Sequence, residues 1–274
     1  MMKRTQNRWW LYVILSILLL VVTTPFIWMV LGSIKTQGEL LQSPPTFLPE
    51  VPTWDNFVRL FERLDFAHYF KNSAVVAVCV TAGNLIFCSM LGYALAHLEF
   101  PGKRTIFGSV LGTLMIPGLV TFIPQFVLVV NLGLANSISA LILPFLVGPF
   151  GVFLMRQFFQ GIPRELLEAA RIDGAGEFRI FFTVFLPLAG PAVATLGILT
   201  FLGSWNNFLW PLVVASTEEM YTLPVALALV STGQNQTDYG LLLAGASLVI
   251  LPILVVFLFL QRYFIEGIAN TGIK

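Results

Sequence analysis

The residues of this chain whose types and spacing could support specific chemistry are concentrated in one short polar stretch. Of 15 basic and 14 acidic residues in the whole chain, eight lie between Arg156 and Arg179. The middle of the stretch contains Glu168, Ala169 and Ala170, followed by Asp173 and Gly174. Charged groups are costly to bury in an apolar core. The stretch is therefore expected to lie in water, where its chemistry suits ionic and hydrogen-bonded recognition of another molecule.

The residues from Arg164 to Asp173 predict a short amphipathic helix within this stretch. At about 100° per residue the side chains separate into two arcs. The polar arc contains Arg164, Glu165, Glu168 and Arg171, and the apolar arc contains Leu166, Leu167, Ala169 and Ala170. Pro163 suits the first turn, and Gly174 can supply a left-handed end. We expect the polar arc to bind a partner while the apolar arc faces the membrane-embedded part. The alternative is a helix that lies on the membrane surface without a partner.

Catalytic signatures are absent from the sequence. The nearest match to a phosphate-binding loop is Gly102-Lys103, but His97 stands where the first glycine is required and Arg104 replaces the Ser or Thr. His68 and His97 have no second ligand at useful spacing, which favours structural roles over metal binding. We therefore predict no catalytic residue, no metal site and no cofactor bound by this chain, and do not expect it to be an enzyme by itself.

The elements that position the polar stretch are apolar helices. The chain has 274 residues, of which 57% are hydrophobic and only 11% are charged, whereas soluble domains have about 25% charged residues. Asp, Glu, Lys, Arg and His are missing from 9–34, 72–96, 105–155, 180–217 and 239–261. Because a span needs about 20 apolar residues, the stretch 105–155 holds two, divided by a turn at Asn131–Ser137. The sequence predicts an all-α membrane protein with six spans.

The distribution of basic residues predicts the orientation of these spans. Six spans put both termini, residues 97–104 and residues 156–179 on one side, which then has eleven Lys and Arg residues against four on the other. The positive-inside rule places that richer side in the cytoplasm. The polar stretch, between the fourth and fifth spans, is therefore expected to be cytoplasmic.

The polar stretch and the apolar run after it resemble a known family. Glu168-Ala169-Ala170, Gly174, Val184 and Leu186-Pro187 have the spacing of the signature loop of ABC importer membrane subunits, with Val184 where Ile is usual. Four further stretches resemble the carbohydrate-uptake branch, which includes the smaller permease subunit of the maltose importer: Pro25–Met29, Phe100–Lys103, Trp205–Pro211 and Gln261–Phe264. The resemblance implies a type I ABC importer permease fold, with a cytoplasmic coupling helix between the fourth and fifth spans.

The same resemblance implies the division of the chain and its partners. Residues 1–71 would form a flank with the first span and an outer loop, residues 72–262 the five-helix permease core, and residues 263–274 a cytoplasmic tail. Expected partners are a second related permease subunit, two ATPase domains that hold ATP and Mg, and an extracytoplasmic binding protein. The loop around residue 168 would couple the spans to ATP hydrolysis in a prokaryotic plasma (inner) membrane. No nucleic acid is expected as a partner.

Neutral polar residues inside the spans are candidates for a substrate path. These are Asn84, Gln125, Trp205, Asn206 and Asn207. Amides can donate and accept hydrogen bonds with sugar hydroxyls, and the indole face of Trp205 could stack on a sugar ring. The alternative is that these amides hold neighbouring helices together. The lack of ionisable groups inside the spans argues against an ion-coupled secondary transporter, which remains an alternative together with a non-transporting membrane scaffold.

The polar outer loop before the last span is the candidate binding-protein contact. Its residues Gly233, Gln234, Asn235 and Gln236 match the position of a loop that, in the maltose-type family, reaches toward the cleft of the binding protein. The alternative is a solvated connector. The sequence leaves open which sugar or related solute is carried, and whether this chain or a partner permease contacts it.

Overall fold

The structure of the chain is helical. The computed structural model describes residues 9–232 and 237–271, with side chains in the last helix described as far as Phe259 and at Gln261. Within these ranges the only β pairing is an isolated antiparallel bridge between Thr232 and Thr237. The predicted all-α class is confirmed.

The described residues provide the predicted apolar spans. Four helices are each long and apolar enough to cross a bilayer: Trp9–Ser33, Phe66–His97, Ile138–Gln160 and Tyr239–Phe259. Two bent pairs qualify when each is taken as one span: Lys103–Met115 with Gly118–Asn131, bent by 107°, and Glu177–Leu188 with Gly190–Trp205, bent by 82°. Counted in this way the described chain has six spans. The fifth is Glu177–Trp205, which starts and ends earlier than the predicted stretch 180–217.

Shorter helices occupy the connections between spans. They are Gln37–Leu40, Asp55–Arg63, Arg164–Ile172, Leu209–Val214 and Leu223–Ser231. The segment between the last two spans therefore includes the helix Leu223–Ser231 as well as the polar outer loop. The last helix runs without interruption from Tyr239 to Thr271, so the predicted tail 263–274 is helical as far as Thr271.

Prolines mark the irregular positions of the third and fourth spans. Pro117 immediately precedes the second helix of the bent third span, whereas Pro124 lies inside that helix, Gly118–Asn131. Pro144 lies in a 3₁₀ turn, Leu143–Phe145, and Pro149 starts the helical segment that ends at Gln160. A proline has no N–H for the helical hydrogen bond, which is consistent with the breaks next to Pro117 and between Pro144 and Pro149, whereas the helix continues through Pro124.

Residues Met1–Phe66 and Leu227–Leu251 form one compact unit. In this unit the buried amide of Asn56 donates to the carbonyls of Ser33 at 2.8 Å and Lys35 at 2.7 Å. Gly240 approaches Asn56 so closely that an added Cβ would lie 2.4 Å from Asn56 Oδ1. Only glycine fits there.

Residues Ala67–Ala226 and Pro252–Lys274 form the second unit. Its largest core cluster joins the second, fourth and fifth spans and contains Cys88, Tyr93, Met155, Phe159, Phe181 and Phe185. Two π-helical turns, Asn84–Cys88 and Phe181–Phe185, contribute side chains to this cluster. Gly92 permits the close contact of the second and fourth spans, because its Cβ would lie 2.8 Å from the backbone nitrogen of Arg156.

Candidate functional site

The predicted polar helix forms with nearly the predicted bounds. It runs from Arg164 to Ile172, directly after Pro163. Gly174 has a φ of +78°, and no atom lies within 4 Å of a Cβ added there. A left-handed residue just past the helix end closes the last turn, and glycine takes this conformation with the least strain. The prediction of a helix ended by Gly174 is confirmed.

This helix is attached to the core by one edge. Leu167 is fully buried and Ala170 is partly buried, whereas Glu165, Glu168 and Ala169 are exposed. Leu166 is 41% exposed and Ile172 is 86% exposed. The expectation that the whole apolar arc faces the membrane-embedded part is therefore wrong for Leu166 and Ala169. The exposed surface of the helix combines carboxylates with apolar groups, a composition suited to a protein partner.

A hydrogen-bonded group of three residues connects the polar helix to the second span. Arg171 donates to Glu177 Oε1 from Nε at 2.8 Å and approaches it with Nη2 at 2.6 Å. The other oxygen, Oε2, accepts from the hydroxyl of Tyr93 at 2.9 Å. Tyr93 is only 4% exposed, and its ring packs against Phe159, Phe181 and Phe185. One carboxylate therefore joins an exposed helix to a buried aromatic cluster.

Sequence reasoning did not identify this contact. A tyrosine in an apolar span is a signal, because a buried hydroxyl usually needs a hydrogen-bonding partner. The partner is 84 residues away in the chain, so only the fold reveals it.

The predicted coupling residues share one end of the polar helix. Glu168, Ala169, Asp173 and Gly174 are all exposed. Backbone bonds from Asp173 N–H to Ala169 O, and from Ala175 N–H to Ala170 O, hold the turn in place at 3.0 Å each. The side chains of Glu168 and Asp173 make no hydrogen bond or ion pair within the described residues, so both carboxylates are available to a partner.

A large cavity lies within the second unit. Its volume is about 860 Å³, and its wall includes hydroxyl and amide side chains from the second, third and fifth spans, from the residues just after the fifth span and from the segment before Leu223: Ser73, Asn84, Thr113, Thr121, Gln125, Thr200, Ser204, Asn207 and Thr222. None of the described lining residues is ionisable. Such a wall can exchange hydrogen bonds with a neutral polar solute.

Asn84 lies on the cavity wall, but its amide hydrogens are already used. Its Nδ2 donates to the carbonyl of Phe145 at 2.6 Å and to that of Val80 at 3.2 Å. This geometry agrees with the alternative in which the amide holds neighbouring helices together.

Gln125 and Asn207 also line the cavity, and they keep free donors. Gln125 makes no hydrogen bond within the described residues, and Asn207 uses only Oδ1, which accepts from Trp210 N at 3.4 Å. Trp210 and Thr222 line the cavity as well. Trp210 donates from Nε1 to Ala140 O at 3.0 Å, and Thr222 has a buried Oγ1 without a described hydrogen-bond partner.

The other two predicted path residues lie away from the cavity wall. The Trp205 ring stacks on Phe201 with ring centres 5.8 Å apart and packs edge-on against Phe70. Asn206 is exposed, and its amide donates to Leu202 O at 3.0 Å. The structure therefore brings Asn84, Gln125 and Asn207 together at the cavity and leaves Trp205 and Asn206 outside it.

Three other sequence expectations concern the outer loop, the histidines and metal binding. The candidate contact residues Gly233, Gln234, Asn235 and Gln236 lie outside the described residues. His97 is buried, and its Nε2 donates to Phe159 O at 2.9 Å. In the described part of the chain, no group of three or more His, Cys, Asp or Glu side chains is placed to hold a metal ion.

Comparison with known proteins connects this arrangement to a family. Residues 88–270 match the model of the binding-protein-dependent transport system inner membrane component. An arabinooligosaccharides transport system permease protein, AraQ of Halalkalibacterium halodurans, is 41% identical over 269 residues, covering 97% of this chain and 96% of the relative. The diacetylchitobiose uptake system permease protein NgcG of Streptomyces coelicolor is 35% identical, with 92% and 84% covered.

A solved structure shares the fold over nearly the full length. It is a chain of a bacterial ABC transporter involved in the import of the acidic polysaccharide alginate, with a TM-score of 0.83 and 26% identity, covering 96% of this chain and 99% of that chain. Together with the spans, the exposed loop helix and the polar cavity, these matches identify the chain. It belongs to the family of binding-protein-dependent transport system inner membrane components and is a permease subunit of an ABC importer.

Proposed function

We propose that this chain is one of two related permease subunits of an ATP-driven importer, and that its 164–172 helix binds a separate ATPase subunit. The observation that carries the proposal is the exposure of Glu168 and Ala169 on a helix that Leu167 anchors in the core. A short helix fixed on one side can transmit a push or pull as a rigid body. ATP and Mg are bound by the ATPase subunits, which hydrolyse the nucleotide.

The substrate is a neutral oligosaccharide or related polyol. Gln125, Asn207 and Thr222 give the cavity unused hydrogen-bonding groups without any charge, and two of the relatives above are named for oligosaccharide or chitobiose uptake. Ion-coupled carriers rely on ionisable groups inside their spans. The absence of such groups from the described cavity wall argues against that alternative, and the presence of a cavity argues against a non-transporting scaffold.

The remaining partners follow from the exposed surfaces and from the charge distribution. Apolar cavity residues such as Ile116, Leu128 and Leu132 are largely exposed in this chain, and a second permease subunit would cover them. An extracytoplasmic binding protein delivers the sugar, with the loop 233–236 as its contact. The side of the membrane with more Lys and Arg residues includes the 164–172 helix and both termini, and it faces the cytoplasm.

Cysteine chemistry tests this function. In a Cys79→Ser background, Ala169→Cys is expected to cross-link to a cysteine in the ATPase subunit of the co-expressed complex. It should also react with a membrane-impermeant maleimide in inside-out vesicles only. Reaction from the outer face alone would overturn both the orientation and the coupling role. A cysteine at Asp55, an exposed residue of the outer segment, is the matched control, expected to react in right-side-out vesicles only.

A further inference from the structure

The polar helix and the second span are connected by a contact that the proposed function leaves without a role. Tyr93, Glu177 and Arg171 belong to three separate elements: the second span, the start of the fifth span and the 164–172 helix. Neither Tyr93 nor Glu177 is among the predicted coupling residues.

We propose that the Tyr93–Glu177–Arg171 contact transmits movement of the 164–172 helix into the second span, so that Glu177 is a positioning residue for transport. This inference rests on the proposed function, because it requires an ATPase subunit that moves the helix.

The geometry suits such a connection. Arg171 presents Nε and Nη2 to the same oxygen, Glu177 Oε1, and the planar guanidinium fixes direction better than a single ammonium would. Oε2 is left for Tyr93 at 2.9 Å. A displacement of Arg171 therefore displaces the carboxylate, and the carboxylate moves the tyrosine hydroxyl.

The burial of Tyr93 makes it a suitable receiving group. Its ring contacts the rings of Phe181 and Phe185, which lie in the π-helical turn of the fifth span, and the ring of Phe159 in the fourth span. Tightly packed interiors transmit displacement rather than absorb it. The second span also contains Asn84 on the cavity wall, so the connection ends on the helix that lines the proposed substrate path.

The ion pairs nearby are weaker candidates for this role. Glu99 lies 3.4 Å from Arg164 and 3.6 Å from Lys103, but Glu99 is 75% exposed and neither of these two partners is buried. Exposed pairs of this kind contribute little because solvent screens them. Glu99 therefore provides a matched control: a carboxylate that also pairs with an arginine of the 164–172 helix and does not reach the core.

Two labelling positions separate the steps of the proposed transmission. Cys79 is a native, exposed cysteine of the second span, and Cys88 is buried. A nitroxide on Cys79 reports on the second span. A nitroxide on Ala169→Cys, in the Cys79→Ser background, reports on the 164–172 helix. The complex is reconstituted with its ATPase subunits and binding protein, and spectra are compared without nucleotide and with MgATP plus vanadate.

In the parent complex both labels should respond to nucleotide trapping. In Tyr93→Phe, which removes only the hydroxyl and keeps the ring, the Ala169→Cys label should respond as before while the Cys79 response falls by half or more. Glu177→Ala should have the same effect. The Cys79 response of the double variant should be no smaller than that of either single variant, because both substitutions break the same connection. Glu99→Ala should leave both responses unchanged.

The outcomes are distinguishable. An unchanged Cys79 response in Tyr93→Phe and in Glu177→Ala would overturn the inference and leave the proposed function in place. A silent Ala169→Cys label in the parent complex would instead contradict the proposed function. If Tyr93→Phe reduced both responses together, the tyrosine would be a general packing residue and the inference would again be wrong.

Discussion

Asn84 donates its side-chain amide to the carbonyl of Phe145 at 2.6 Å, across the boundary between the second and fourth spans. In a continuous helix that carbonyl would accept from the N–H of residue 149, which is a proline. The amide therefore satisfies an acceptor in the broken middle of the fourth span. The interior of a bilayer contains no water that could donate a hydrogen bond to an unsatisfied carbonyl.

This relationship predicts that Asn84 contributes mainly to stability. Replacing Asn84 by Ala should lower the free energy of unfolding by about 1–3 kcal/mol, because a buried acceptor loses its partner. Thermal unfolding of the purified complex in detergent measures the change. Gln125→Ala is the control, since Gln125 lines the same cavity without a described hydrogen bond, and its melting temperature should stay near that of the parent. Equal melting temperatures for the Asn84 and Gln125 variants would contradict the assignment.

The two adjacent amides after the fifth span predict different effects on transport. Asn207 lies on the cavity wall with a free amide donor, whereas Asn206 is outside the wall and donates to Leu202 O. Asn207→Leu should reduce uptake of the sugar retained by the binding protein by roughly 10-fold, the loss expected for about 1.4 kcal/mol, a hydrogen-bond-sized contribution. Asn206→Leu should leave uptake within about 2-fold of the parent.

Initial uptake rates in proteoliposomes, normalised to the amount of complex, compare the two variants. Gln125→Leu is expected to resemble Asn207→Leu. A reversed order, with Asn206 the more sensitive position, would mean that the cavity is not the substrate path.

Much of the polar helix could be predicted from its sequence because the signals are local. Pro163 before it, Gly174 after it and the 100° periodicity between them are properties of neighbouring residues. The side chain that receives Arg171 could not be predicted, because Glu177 meets Tyr93 through the packing of separate spans. The sequence also could not show that the Asn207 side chain, and not that of Asn206, lines the cavity. The helix ends at Trp205, and past that residue a helical period no longer assigns faces.

The left-handed conformation of Gly174 predicts that coupling depends on the backbone conformation at this position. Its φ of +78° is in the left-handed region, and an added Cβ would meet no other atom within 4 Å. Substitution should therefore act through the backbone alone, at a cost of about 1–2 kcal/mol. Gly174→Ala and Gly174→Leu should displace the helix end and reduce substrate-stimulated ATP turnover, while Gly174→Asn should be milder because Asn tolerates this conformation better.

Gly176 offers the matched control for this series. Its φ is −74°, an ordinary value for any residue, and it too has no neighbour within 4 Å of an added Cβ. Gly176→Ala should keep normal stimulation by binding protein and sugar in the same ATPase assay. Equal losses at Gly174 and Gly176 would indicate that the partner needs small residues here, and that the left-handed conformation is not the cause.

Two contacts of Asp238 predict that this residue stabilises the start of the last helix. Its Oδ1 accepts from the backbone N–H of Leu241 at 3.1 Å, as a helix cap does, and its Oδ2 lies 2.6 Å from Arg59 Nη1. Asp238→Ala removes both contacts and should lower stability by about 1–2 kcal/mol, since capping residues contribute about that much. Asp238→Asn should lose less, because an amide oxygen can still cap the helix although the charge that attracts Arg59 is gone.

Thermal unfolding at low and high salt separates the cap from the ion pair. The difference between parent and Asp238→Asn should shrink as salt is added, because screening weakens a partly exposed pair, whereas the difference between Asp238→Asn and Asp238→Ala should persist. Arg63 is the control: it lies 3.8 Å from the same oxygen and is 53% exposed, so Arg63→Ala should change the melting temperature little. Because only Thr237 separates residues 233–236 from this anchor, Asp238→Ala should also weaken stimulation of ATP turnover by the binding protein. Unaltered stimulation in that variant would show that the anchor serves stability alone.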